Sequence, residues 1–83
     1  MKITVRYFAS IREAVGQGSE VLDTNATTLG ALRDELLARG GAYASALARG
    51  KAVRMALDQV LSDEAAALRD GAEVAFFPPV TGG

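Results

Sequence analysis

Residues Lys2 to Phe8 alternate, with Ile3, Val5 and Tyr7 on one side and Lys2, Thr4 and Arg6 on the other, the period of a strand that buries one face. Ser10-Ile11-Arg12-Glu13 fits a capping box, in which Ser10 bonds the backbone three residues on and Glu13 reaches back. A short helix follows, with Ile11, Ala14 and Val15 on one face, and Gly16 and Gly18 stop it. Ser19 to Asp23, around Val21 and Leu22, is a short second strand, and Thr24-Asn25-Ala26-Thr27 reads as loop and cap. From Thr28 the period becomes helical: Leu29, Leu32, Leu36 and Leu37 line one face, opposite Arg33, Asp34, Glu35 and Arg39. Gly40-Gly41 ends this main helix, and a weaker helical segment from Ala42 to Arg49 offers Tyr43, Ala46 and Leu47 for burial. Val53, Met55 and Leu57 alternate again, Asp58-Gln59 turns the chain into a return strand at Val60-Leu61, and Glu64 to Leu68 is one alanine-rich helical turn. Asp70-Gly71 is a turn ahead of the last strand, Glu73 to Phe77, where Val74 and Phe76 share a face. The order strand, helix, strand, helix, hairpin, strand predicts an α+β domain with a mixed sheet covered by the main helix.

Composition narrows the chemistry. The 83 residues include no cysteine, no histidine and no tryptophan. That removes disulfides, thiol nucleophiles, the commonest metal ligands and the usual general base. A chain of this size holds one core, burying about 60 to 65% of its unfolded surface. Nine Lys plus Arg stand against ten Asp plus Glu, interspersed, for a formal net charge of -1. This patterning supplies no field for nucleic acid, and no apolar run is long enough to span a membrane. The start, Met1-Lys2-Ile3-Thr4, lacks the apolar region of a signal peptide, which points to the cytoplasm.

The tail carries the distinctive chemistry. The last strand runs into Pro78-Pro79-Val80-Thr81-Gly82-Gly83, and two prolines favour an extended exit. Residues 1–77 are thus expected to form the domain and 78–83 an extended tail. Gly82 and Gly83 have no side chains, so they pass where only bare backbone fits and carry the terminal carboxylate into another protein. A free carboxylate is a poor acyl donor and needs activation, as by attack on the α-phosphate of a nucleoside triphosphate to give an acyl-adenylate. No phosphate-binding glycine motif of the required form occurs in the chain, Gly16-Gln17-Gly18 being too short, so activation falls to another protein.

Phe76-Phe77-Pro78-Pro79-Val80-Thr81-Gly82-Gly83, with Leu68-Arg69-Asp70-Gly71-Ala72-Glu73-Val74-Ala75 before it and Val5-Arg6-Tyr7-Phe8-Ala9-Ser10-Ile11-Arg12-Glu13 at the other end, resembles the small subunits of molybdopterin synthase. One departure is Asp58-Gln59, where members of that family often carry Asn-Gln. The resemblance implies a ubiquitin-like β-grasp fold. It also implies that the Gly83 carboxylate is adenylated by a dedicated activating enzyme that uses ATP, then converted to a thiocarboxylate by a sulfur donor protein. The tail, with Val80, Thr81 and Gly82, would thread into the large synthase subunit, within a heterotetramer of two small and two large subunits. There the sulfur would pass to cyclic pyranopterin monophosphate in molybdenum cofactor biosynthesis. A thiocarboxylate is anionic and nucleophilic at neutral pH without a neighbouring base, so no catalytic side chain, intrinsic cofactor or metal is expected here.

Other residues have simpler explanations. Phe76 is assigned to the core with Val74; Phe77, Pro78, Pro79 and Phe8 are the candidate partner contacts, with Phe8 and Phe77 joining in one exposed apolar patch. The leucine stripe, Tyr7 and Tyr43 are assigned to the core, and Asp34, Glu35 and Glu64 to solvated helix faces. Arg33, Arg39, Arg49 and Arg54 are ordinary charged surface, with an acidic partner as the alternative. A thiamine-pathway sulfur carrier and a protein modifier ending on lysine amines share the same activated terminus; a plain interaction module would not need Gly82-Gly83. The first of these rivals tends to be shorter and to lack the Phe76-Phe77-Pro78-Pro79 run.

Overall fold

The computed structural model describes residues 1–79. Strand β1 (Lys2–Tyr7) buries Ile3, Val5 and Tyr7, as its alternation requires. Helix α1 (Ala9–Val15) follows, and strand β2 (Ser19–Asp23) returns antiparallel to β1. Helices α2 (Leu29–Leu37) and α3 (Gly41–Leu47) come next, then the hairpin of β3 (Arg54–Leu57) and β4 (Val60–Ser62), and finally β5 (Glu73–Phe77). The strands lie in the order β2-β1-β5-β3-β4, with β5 parallel to β1 and antiparallel to β3. The last strand therefore occupies the middle of the sheet, and the residues after it leave from its most constrained element.

One face of the sheet carries the core. Leu29, Leu32 and Leu36 of α2 are wholly buried among Ile3, Val5, Val74 and Phe76, each such side chain stabilising the fold by roughly 1.5–3 kcal/mol. Tyr7 and Phe76, opposite one another in the β1–β5 register, stack with centroids 6.2 Å apart. The Thr28 hydroxyl caps α2 by accepting from the Ala31 N–H at 3.1 Å, so the cap falls one residue after the predicted Thr24–Thr27 loop. Asp58 and Gln59 both have positive φ (49° and 68°), the backbone of a type I′ hairpin turn, and Asp58 Oδ1 accepts the Glu73 N–H at 3.0 Å. That contact needs only an acceptor oxygen, so an aspartate fills it as well as an asparagine.

Three local expectations are corrected. The capping box at Ser10 and Glu13 does not form: α1 begins two residues earlier, from Phe8 as N-cap with no side-chain cap. The backbone N–H groups of Ile11 and Arg12 bond the Phe8 carbonyl instead, and Ala14 is exposed. Gly16, at φ 83°, ends α1 without help from Gly18. Glu64 to Leu68 is not helical. Its carbonyls are used by the start of α2, with Leu29 N–H donating to Ala66 O and Gly30 N–H to Glu64 O, both at 3.0 Å, and Ala67 bridges Thr28. A segment that satisfies the unpaired donors of a helix is held as a turn at Glu64–Ala65, closed by Ala66 N–H to Asp63 O at 3.2 Å, followed by a bridge at Ala67, and this outweighs the helix propensity of its alanines.

Arg33, too, is 4% exposed rather than on a solvated face. Its Nε donates to Leu47 O at 2.8 Å and its Nη2 to Ala48 O at 3.0 Å, closing the C-terminal end of α3, while Nη1 lies 3.5 Å from Glu64. Burial lowers its pKa from the usual guanidinium value, the Glu64 charge acting in the opposite sense. Arg49 joins the same cluster, bonding Glu64, Asp34 and Gly30 O, and its hydrogen bonds hold the Glu64 carboxyl below the usual carboxylate value. Glu64 and Asp34 are thus ion-paired, not merely solvated.

Candidate functional site

The side of the sheet opposite the helices follows from the registers. Tyr7 and Phe76 point inward, so Phe77 points outward, and Arg54 faces it across β3. Ala56 pairs with Ala75 on the same face and with Leu61 of β4. Phe8 continues the β1–β5 ladder by donating its N–H to Phe76 O at 3.1 Å, so it runs on beside Phe77. Phe8, Phe77, Ala56 and Ala75 line a shallow groove of about 520 Å³, edged by Arg6, Gln59 and Glu73. The Arg6 guanidinium lies 5.3 Å from the centre of the Phe8 ring.

Phe8 is 40% exposed, and Phe77, Pro78 and Pro79 are half-buried. The predicted apolar patch therefore exists, and it lies at the root of the tail. Two exposed apolar residues elsewhere on the outer face escaped prediction: Leu61, 64% exposed and paired with Ala56 of the groove, and Val21, 66% exposed and paired with Thr4 on the other side of the sheet. Strands of three and five residues show too few alternations to separate their faces; the pairing of Leu61 with Ala56 and of Val21 with Thr4 supplies the missing information. Ala9 turns the chain from Phe8 into α1 with φ of 50°, a left-handed conformation unfavourable for alanine, so a strained residue fixes where Phe8 leaves the sheet. Val80, Thr81, Gly82 and Gly83, the predicted threading residues and reactive terminus, lie outside the described residues.

Elsewhere the polar groups serve the fold. Tyr7 donates to Glu20 at 2.8 Å, and burial, then this bond, pushes its phenol well above the usual range. Gln17, Tyr43 and Arg39 bond the same carboxylate, tying β2 to α3 and to the end of α2. Among the described residues, no three His, Cys, Asp or Glu side chains come together as a metal site, and no helix is long and apolar enough to cross a membrane.

Three comparisons bear on this geometry. The model of the ThiS family matches residues 5–83. The molybdopterin synthase sulfur carrier subunit of Escherichia coli is 43% identical over 81 residues, covering 98% of this chain and 99% of that relative. Among solved structures, a protein-protein complex of subunits 1 and 2 of the molybdopterin-converting factor from Helicobacter pylori contains a chain that superposes with a TM-score of 0.70 at 28% identity, each chain covered in full. The crystal structure of SAMP1 from Haloferax volcanii reaches a TM-score of 0.78 with full coverage of both chains, and at 24% identity it speaks for the fold alone. The sheet order and the helix packed across it are those of a ubiquitin-like β-grasp domain.

Proposed function

Because this chain belongs to the ThiS family, we propose that it is the sulfur carrier subunit of a molybdopterin synthase, working through its terminal Gly83 carboxylate. The observation that carries the proposal is the union of a diglycine terminus with a β-grasp domain whose central strand leads directly into it. The similarity to a named sulfur carrier subunit over 98% of the chain supports the pathway. It also weighs against the thiamine-type carrier.

The chemistry proceeds on the main chain. A carboxylate oxygen of Gly83 attacks the α-phosphorus of ATP on an activating enzyme, pyrophosphate leaves, and an acyl-adenylate forms. Sulfide supplied by a donor protein then attacks the acyl carbon, AMP leaves, and a thiocarboxylate remains. The large synthase subunit receives the tail and directs that sulfur to cyclic pyranopterin monophosphate. The outer-face patch of Phe8 and Phe77, continuing into Pro78 and Pro79, docks the domain against that subunit so that the following residues enter its channel. The Helicobacter complex of two converting-factor subunits supports a partner of this kind.

The test is sulfur delivery in a reconstituted system of this chain, activating enzyme, ATP, sulfur donor and large subunit. Gly82→Ala, or one residue added after Gly83, should abolish delivery while leaving thermal stability unchanged. Intact delivery by both variants would overturn the assignment of the reactive group to the terminus.

A further inference from the structure

Among the described residues, several charged side chains have no partner of opposite sign within the chain. Among the described residues, Glu20, Asp34, Glu64 and Glu73 face arginines, and Asp23 faces the N-terminal amine. Asp58, Asp63 and Asp70 each accept a backbone N–H, and Glu35 accepts the Thr24 hydroxyl. Of the ten acidic residues only Glu13 lacks such a partner. On the basic side Arg6, Arg33, Arg39 and Arg49 are paired, while Lys2, Arg12, Lys51, Arg54 and Arg69 have no carboxylate of the described residues in ion-pair reach. Among the described residues five carboxylates likewise lack a cation, so placement, not number, distinguishes the five unpaired cations.

One of these five stands at the site. Arg54 is exposed and pairs across the sheet with Phe77, the last residue of β5. Next along the same face come Ala56 and Ala75, on the floor of the Phe8–Phe77 groove. Lys51 precedes β3 at the same end of the sheet, also exposed. Arg54 stands beside Phe77, six residues before Gly83, and so belongs to the docking face.

We propose that Arg54 is a specificity contact for the large synthase subunit, which presents a carboxylate beside the apolar surface that covers Phe8 and Phe77. This rests on the sulfur-carrier assignment and deepens it, naming the chemistry of the partner's rim. A rim charge of this kind steers encounter and rejects surfaces of the wrong sign more than it adds affinity. Nucleic acid is the poorer occupant, because the face is apolar at its centre and carries Glu73, where phosphate tracking calls for a continuous basic stripe.

The experiment is calorimetric titration of the full-length chain with the large subunit from the same organism, at low and high salt, for wild type, Arg54→Glu and Arg69→Glu. Arg69 lines a groove against Leu57 and Ala72 on the other side of the hairpin and serves as the control for charge alone. Arg54→Glu should weaken binding roughly 5- to 20-fold at low salt and flatten its salt dependence, with Arg69→Glu at the wild-type value. Equal affinity and equal salt dependence for wild type and Arg54→Glu overturn the role of Arg54 and leave the carrier assignment standing. Failure of the wild type to bind the large subunit overturns both. Matching thermal transitions of the three proteins confirm that binding, not folding, is being read.

Discussion

Single positions show how closely the segments of this domain approach one another. Gly30 is in the first turn of α2, where alanine would improve helix propensity by ~1 kcal/mol. A Cβ there would meet Glu64 Oε1 at 2.9 Å, Glu64 Cβ at 3.1 Å and the Glu64 carbonyl at 3.2 Å. The carboxylate end can swing aside; the Cβ and carbonyl cannot move without loosening the cap on α2. Gly30→Ala should therefore destabilise the protein by about 1–3 kcal/mol in denaturant titration. Arg33 is the second such position. Arg33→Ala strips Leu47 O and Ala48 O of their donors and should cost about 2–4 kcal/mol by the same measurement. Arg33, four residues after Leu29 and three before Leu36, lies on the leucine side of α2 and not opposite it as expected. What spacing does not convey is that α3 folds back over that face and hands its last carbonyls to the guanidinium.

At the scale of elements, alternation and the leucine stripe were enough to find β1, α2 and β5 because each buries one continuous face, whereas β2 was found by its bounds and not by its faces. The bounds Ser19–Asp23 and Glu73–Phe77 were readable in full. The segment Glu64–Leu68 was misread because its conformation is dictated by a helix more than thirty residues away in sequence. The Asp58-Gln59 turn was legible, yet it holds glutamine at φ 68° without glycine's freedom. Gln59→Gly relieves that conformation at some cost in chain entropy, and a gain of about 0.5–1 kcal/mol in unfolding free energy is expected. Between β1 and β2, folding favours the neutral Tyr7 phenol, since burial and Glu20 raise its pKa. Its contribution is full below the ordinary phenol value of about 10 and is lost as pH rises above it. Thermal unfolding measured from pH 8 to 11.5 should show a falling alkaline limb in the wild type and a flatter one in Tyr7→Phe, although the variant starts lower for want of the Glu20 bond.

For the molecule as a whole, the lack of cysteine and histidine removes the commonest nucleophile and general base, which accords with the proposed use of the main-chain terminus as the reactive group. The fold suits that arrangement: β5 is flanked on both edges, one face of the sheet is occupied by the core, and the other is left apolar around Phe8 and Phe77. The site was legible in sequence as far as Phe8, Phe77 and the terminal motif, since adjacent phenylalanines on a strand must face opposite ways. Leu61 and Arg54 were not assigned to it, because their place beside Phe77 and Ala75 comes from strand pairing between distant segments. The central claim is that Gly83 carries sulfur. The most direct measurement is the intact mass of the protein purified from its own cells, with the C-terminal peptide sequenced. The expected result is a population in which one terminal oxygen is replaced by sulfur, localised to Gly83; a terminus found only as carboxylate or joined to lysines of many other proteins would contradict a sulfur-carrying role.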